Sequence, residues 1–164
     1  MALQSKFTVY VAIAGVFALM GGIVYYASLD NVGLEQIEIK LSSVTLKETN
    51  TVDNQAKFDV TFLVKNPSDK TLTVSQIDYQ LFGDGELIGK GLYSTADVSL
   101  PGRAIFYSGA EIPLKNIFIL SKSEINSEIF EDAINEKITN FSAEGKITTQ
   151  TAWSEIDIDF NTDN

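Results

Sequence analysis

Residues 7–29, "FTVYVAIAGVFALMGGIVYYASL", run without a charge between Lys6 and Asp30. Wound as a helix at about 1.5 Å per residue, they extend roughly 34 Å, enough to cross a hydrocarbon layer of about 30 Å. No other feature narrows the options so far, because whatever follows must fold beside a segment that water does not favour. A cleaved signal peptide fits less well. Cleavage after Ala27 would put bulky Tyr25 where a small residue is wanted, and the apolar run exceeds a normal signal core. A pilin-type leader would need a small residue at the Lys6–Phe7 junction, and there is none.

The segment is therefore read as one N-terminal transmembrane anchor, residues 1–29, meeting the lipid bilayer through residues 7–29. Tyr25 and Tyr26 suit an interfacial aromatic belt, with Tyr10 toward the other side. Lys6 and the terminal amine precede the span, whereas Asp30, Glu35 and Glu38 follow it. The positive-inside rule then places the N-terminus in the cytoplasm and residues 30–164 outside it. Ala14, Ala18 and Gly22, spaced by four, line one helix face in the pattern that lets membrane helices pack closely. The plainer reading is that small residues are common in such helices; self-association or docking to a membrane or envelope protein stays open.

The chain carries 12 Lys and Arg against 22 Asp and Glu, a formal net charge of −10. Nucleic-acid binding draws its affinity from Lys and Arg neutralising phosphates, so DNA and RNA are set aside. Cysteine and histidine are both absent. That removes disulfides, thiol nucleophiles, imidazole metal ligands and every catalytic triad that depends on imidazole.

Beyond Leu34 the apolar residues recur mostly with period two, the spacing of half-buried strands. Ile37, Ile39 and Leu41 alternate with Glu38 and Lys40, and the phase slips at Ser42-Ser43, as a β-bulge requires. Phe58, Val60, Phe62 and Val64 share the next face before an Asn66-Pro67 turn. Val74 leads to Ile77, Tyr79 and Leu81, and Asp84-Gly85 supplies the positive φ of a tight hairpin. Short strands are expected around Ala96–Leu100 and Ala104–Ser108, separated by Pro101-Gly102-Arg103. Ser121 and Glu124 form a capping box ahead of a 3.6-period stripe, predicting one helix over about 122–136. Residues 141–149 and 154–160 alternate again, with Trp153 between them. The sum is an all-β domain, residues 30–164: an immunoglobulin or fibronectin-III-like antiparallel β-sandwich with one short helix. "DNVG", residues 30–33, reads as the linker.

The stretch "FDVTFLVKNPSDKTLTVSQIDYQLFGDGELIGKG" resembles the core of the group 2 late embryogenesis abundant proteins, also called the water stress and hypersensitive response (WHy) domain. The matching pieces are the strand ending in Asn66-Pro67, the strand through Ile77, Tyr79 and Leu81, the Asp84-Gly85 hairpin and the Ile88-Gly89-Lys90-Gly91 return. Residues 111–114, the single helix and "FSAEGKI" at 141–147 are similar to the family's second half. The resemblance implies a fibronectin-like sandwich associated with desiccation and stress tolerance, with no recognised catalytic residues and no cofactor. It hands over no binding site. Asn66 and Pro67 match its motif, and both are read as a structural turn, the Asn side chain bonding backbone beyond the strand end.

The remaining polar clusters each have a plainer reading. Glu155, Asp157, Asp159 and Asp163 alternate along the last strand and could offer oxygens to Ca²⁺. Same-face neighbours on one strand lie about 6.6 Å apart, too far to share an ion unaided, so a solvated edge face that resists edge-to-edge pairing is preferred. The glycines of "GDGELIGKG" flank a hairpin, not the strand-to-helix turn that cradles phosphate. No acid pair stands out for glycoside hydrolysis, and Ser-Lys chemistry would need a buried lysine. One sequon, Asn140-Phe141-Ser142, fits export. The expectation is a non-catalytic, extracytoplasmic, acidic module for stress protection or protein interaction. The alternative is an accessory structural subunit of a larger membrane complex, docked through its transmembrane helix.

Overall fold

The computed structural model describes residues 2–95, 104–152 and 154–163. The strand expected at Ala96–Leu100, the Pro101-Gly102-Arg103 connection and Trp153 lie outside the described residues.

The chain begins with α1 (Ala2–Leu34), a continuous helix of 33 residues. It passes straight through the Asp30–Gly33 stretch that the sequence reads as a linker. Nothing there is proline, and a single glycine costs a helix only about 1 kcal/mol. Within α1, Lys6–Ser28 is long and apolar enough to cross a membrane, and none of it is buried against the rest of the chain.

Among the described residues, eight strands and a second helix follow: β1 (Glu38–Asn50), β2 (Gln55–Lys65), β3 (Leu72–Gly83), β4 (Glu86–Ser94), β5 (Ile105–Phe106), β6 (Glu111–Ser121), α2 (Ser127–Ile134), β7 (Phe141–Gln150) and β8 (Glu155–Asp163). They form two sheets, one ordered β1-β2-β6 and the other β4-β3-β7-β8, with β5 also paired to β3. Every pairing is antiparallel. This is the all-β, two-sheet sandwich with one short helix that the alternating pattern predicts.

Period-two alternation is cleanest in β2, where Ala56, Phe58, Val60, Phe62 and Val64 are all buried and the residues between them are half-buried. The slip at Ser42-Ser43 is a register shift between Leu41 and Ser43 against β2. A second shift between Val74 and Gln76 puts Val74 and Ile77, three apart, on the same inner face. Asp84 (φ 49°) and Gly85 (φ 88°) turn β3 into β4 in the left-handed region that the Asp-Gly pair tolerates.

The centre of the sandwich is built around Tyr79. Gly91, Tyr79, Gly145 and Phe160 lie in one row across β4, β3, β7 and β8. A Cβ on Gly91 would collide with the Tyr79 ring, and one on Gly145 with the Asp78 carbonyl oxygen. The two glycines thus let the sheet close around a large side chain. The Tyr79 ring meets Phe62 of the other sheet edge-on, with centroids 4.9 Å apart, the separation and tilt aromatic quadrupoles favour.

The helix α2 starts later than the capping box predicts. Ser121 is held extended by its pairing with Gln55, and Lys122 N donates to the Asn54 carbonyl at 3.0 Å. The Ser121–Glu124 signature makes only a turn, Glu124 N donating to Ser121 O. Asn126 caps the helix instead, its Oδ1 accepting from Glu128 N at 3.1 Å. The helix then buries Phe130 and Ala133. Between Ala104 and Ser108 only Ile105–Phe106 pairs as strand, because a turn with Gly109 at φ 73° follows at once.

Candidate functional site

Asn66 follows the last residue of β2 and is completely buried. Its backbone N donates to the Ala110 carbonyl at 2.9 Å, and its own carbonyl accepts from Gly109 N at 2.8 Å. Its side-chain Nδ2 faces the carbonyls of Lys70 (2.7 Å), Phe106 (3.0 Å) and Tyr107 (3.2 Å). Oδ1 accepts from both the backbone N and the Oγ of Ser68, at 3.1 and 2.7 Å. With two amide hydrogens and two lone pairs all engaged, the side chain has nothing left to offer a ligand. Pro67 brings no N–H that would need a partner and fixes φ for the turn. Together they tie the end of β2 to its own turn, to β5 and to residues 107–110.

The two ends of the sandwich differ. Glu38 pairs with Lys65, so the start of β1, and with it the end of α1, sits beside the Asn66 corner. The Asp84-Gly85 hairpin lies at the other end of β3, eleven residue steps and roughly 36 Å away at about 3.3 Å per residue. There the Asp84 carboxylate accepts from Asn140 N (3.0 Å), Thr139 N (3.3 Å) and Thr139 Oγ1 (3.1 Å). These donors, the Asn140 N–H first, hold its carboxyl below the usual carboxylate range. A general acid needs the opposite shift. The sequence reading saw the Asp-Gly turn but missed this clamp; its signal is the pair of short polar residues, Thr139 and Asn140, just ahead of β7.

The acidic face of β8 is exposed at Glu155, Asp157, Asp159 and Asp163. Asp157 accepts from Thr148 Oγ1 at 2.8 Å, and Asp159 lies 3.9 Å from Lys146 Nζ. Among the described residues no three Asp or Glu side chains are placed to hold a metal ion. A shallow depression of about 470 Å³ crosses the outer face of the larger sheet, bordered by Asp78, Gln80, Lys90, Glu144, Lys146 and Asp159. Its mixed charges suit water and small ions. In α1, Ala14, Ala18 and Gly22 share an exposed face, and a Cβ on Gly22 would meet nothing within 4 Å.

No protein-family model matches the chain, and no curated protein matches it by sequence. Solved structures do. A solution structure from Arabidopsis thaliana matches over 77% of this chain and 78% of its own, with a TM-score of 0.52 and 16% identity. A crystal structure of a protein from Archaeoglobus fulgidus covers 76% of this chain and 94% of its own, at TM-score 0.47 and 17% identity. A solution structure of a candidate late embryogenesis abundant protein covers 92% and 82%, at TM-score 0.45 and 15% identity. The first establishes a shared fold.

Proposed function

We infer that this protein is a membrane-anchored, non-catalytic sandwich of the group 2 late embryogenesis abundant (WHy) type, held outside the cytoplasm and serving in desiccation or osmotic-stress protection. The observation that carries the reading is the junction at the Asn66-Pro67 corner. There the residues that most resemble the family make a purely structural knot, next to the point where an apolar helix long enough to span a bilayer joins the domain. An acidic surface at net charge −10 stays hydrated and resists association as water is withdrawn, because like charges oppose contact. The carboxylates of β8 and the outer faces form that surface, and α1 keeps it near the membrane.

Cells lacking the gene should survive drying or osmotic shock less well than the parent, and re-expression of the full chain should restore survival. Equal survival would sink the protective reading. Purification in a mild detergent, with mass spectrometry of whatever accompanies the tagged chain, separates the alternative: a stoichiometric membrane partner lost on Gly22→Ile would make this an accessory subunit docked through α1.

A further inference from the structure

The sequence contains two Asn-X-Ser triplets, Asn66-Pro67-Ser68 and Asn140-Phe141-Ser142, and the fold treats them in opposite ways. Proline in the middle bars the first as an acceptor for N-linked sugar, and its Asn amide is enclosed by three backbone carbonyls. The second has no such bar. Asn140 is exposed in the connection between α2 and β7, and its Nδ2 makes only long contacts, 3.3 Å to Asp84 Oδ1 and 3.2 Å to Thr139 Oγ1. A depression of about 350 Å³ opens beside it, lined by Asp84, Gly85, Asn140, Phe141, Ser142 and Asp163. The Asn140 carbonyl accepts from Asp84 N at 2.8 Å, which fixes the residue against the β3–β4 hairpin.

We propose that Asn140 carries an N-linked oligosaccharide beside the β3–β4 hairpin, where its side chain is exposed. The inference rests on the reading that the domain is exported. The donor class is an oligosaccharide linked through phosphate to a polyprenyl lipid. A bond forms between Asn140 Nδ2 and the anomeric carbon of the sugar, and the carbon–oxygen bond to the phosphate breaks. The lipid phosphate leaves with the bonding pair, and one amide proton passes to a base on the transferase. The substituted amide keeps one N–H, which suffices for Asp84, so the hairpin clamp survives modification. Ser142 is paired on both sides in the finished sheet, with Phe82 and Asp163. Transfer therefore precedes the docking of β7, while residues 140–142 are still free to enter a transferase in extended form.

The test uses the full chain in the membranes of its own host. Tryptic cleavage after Lys137 and Lys146 yields a peptide of residues 138–146 that contains Asn140 and Ser142. Its mass should include hexose or N-acetylhexosamine units in most copies, and these should vanish in Asn140→Gln and in Ser142→Ala while persisting in Ser142→Thr. Protease added to intact cells is the parallel measurement. If the peptide is unmodified but external protease removes the domain, export stands and the glycan is refuted. If the peptide is unmodified and the domain is protected, the export reading fails and takes this inference with it.

Discussion

Asn116 Nδ2 on β6 donates to the Tyr79 hydroxyl on β3 at 2.9 Å, a polar link between the two sheets inside an aromatic cluster. Burial pushes the Tyr79 phenol up to about 12, with the Asn116 bond pulling the other way. Below the ordinary phenol value of 10.0 both folded and unfolded chains hold the proton and the stability is intact. From there to about 12 the unfolded chain ionises first, so stability falls as pH rises, by up to about 3 kcal/mol. Urea titrations of the detergent-solubilised chain at pH 8 and pH 11 should differ accordingly, and Tyr79→Phe should lessen that difference. At pH 8, Asn116→Ala should cost about 1–3 kcal/mol, because it leaves a buried hydroxyl unpartnered.

Replacing Asn66 should be far more damaging than replacing any surface Asn. Asn66→Ala strips donors from the carbonyls of Lys70, Phe106 and Tyr107 and an acceptor from Ser68, and at about 1–3 kcal/mol for each group stranded the loss should exceed about 3 kcal/mol. Asn66→Asp is nearly isosteric, yet it aims a carboxylate at carbonyl oxygens. It should melt lower than wild type, with the deficit easing as the pH is lowered enough to protonate it. A melting curve of Asn66→Asp that overlays wild type at neutral pH would contradict the assigned orientation of the amide.

Among the described residues, Thr149 Oγ1 is the buried side-chain oxygen with no hydrogen-bond partner. The residue is wholly buried, between Val74 and Ile156 in the ladder. Thr149→Val keeps the shape and removes the stranded hydroxyl, so it should stabilise the fold by about 1 kcal/mol. Differential scanning calorimetry should register this as a rise of about 2–4 °C.

Asp84 sets an acid limit. Its carboxyl is held below its ordinary value by N–H donors, so its contribution is present above the unfolded carboxylate range and is lost as pH falls through the folded value. Asp84→Asn preserves the left-handed turn and deletes the titration. Relative to wild type, the variant should be weaker at pH 7 and should draw level once the pH has fallen through the folded carboxyl's lowered value, as followed by urea midpoints from neutral into acid.

Much of this architecture is legible in the sequence because burial here follows strand periodicity. Phe58 to Val64 announce β2, and Asp84-Gly85 announce the hairpin. What stays hidden is long-range. Ser121-Glu124 carries a correct local helix signature, overridden because β2 holds Ser121 in its ladder through Gln55. The Asp30–Gly33 linker reads as a break but stays helical, since no residue in it forbids the helix. Asn66 is recognisable as a turn residue, whereas its partners Phe106 and Tyr107, 40 and 41 positions away, are not. The Tyr79–Asn116 bond likewise depends on how two sheets face each other, which no local pattern encodes.

The Asn66 knot also bears on time. It closes a loop of about 40 residues in a chain without cysteine, and such closure costs roughly 3 kcal/mol of chain entropy before the contacts repay it. Its bonds therefore belong late in folding, after β2 and β3 have been brought together. Contacts formed after the transition state govern how slowly a protein comes apart, not how fast it assembles. In stopped-flow experiments Asn66→Ala should accelerate unfolding while leaving refolding nearly unchanged. One asparagine then sets how long the folded domain persists once conditions turn against it.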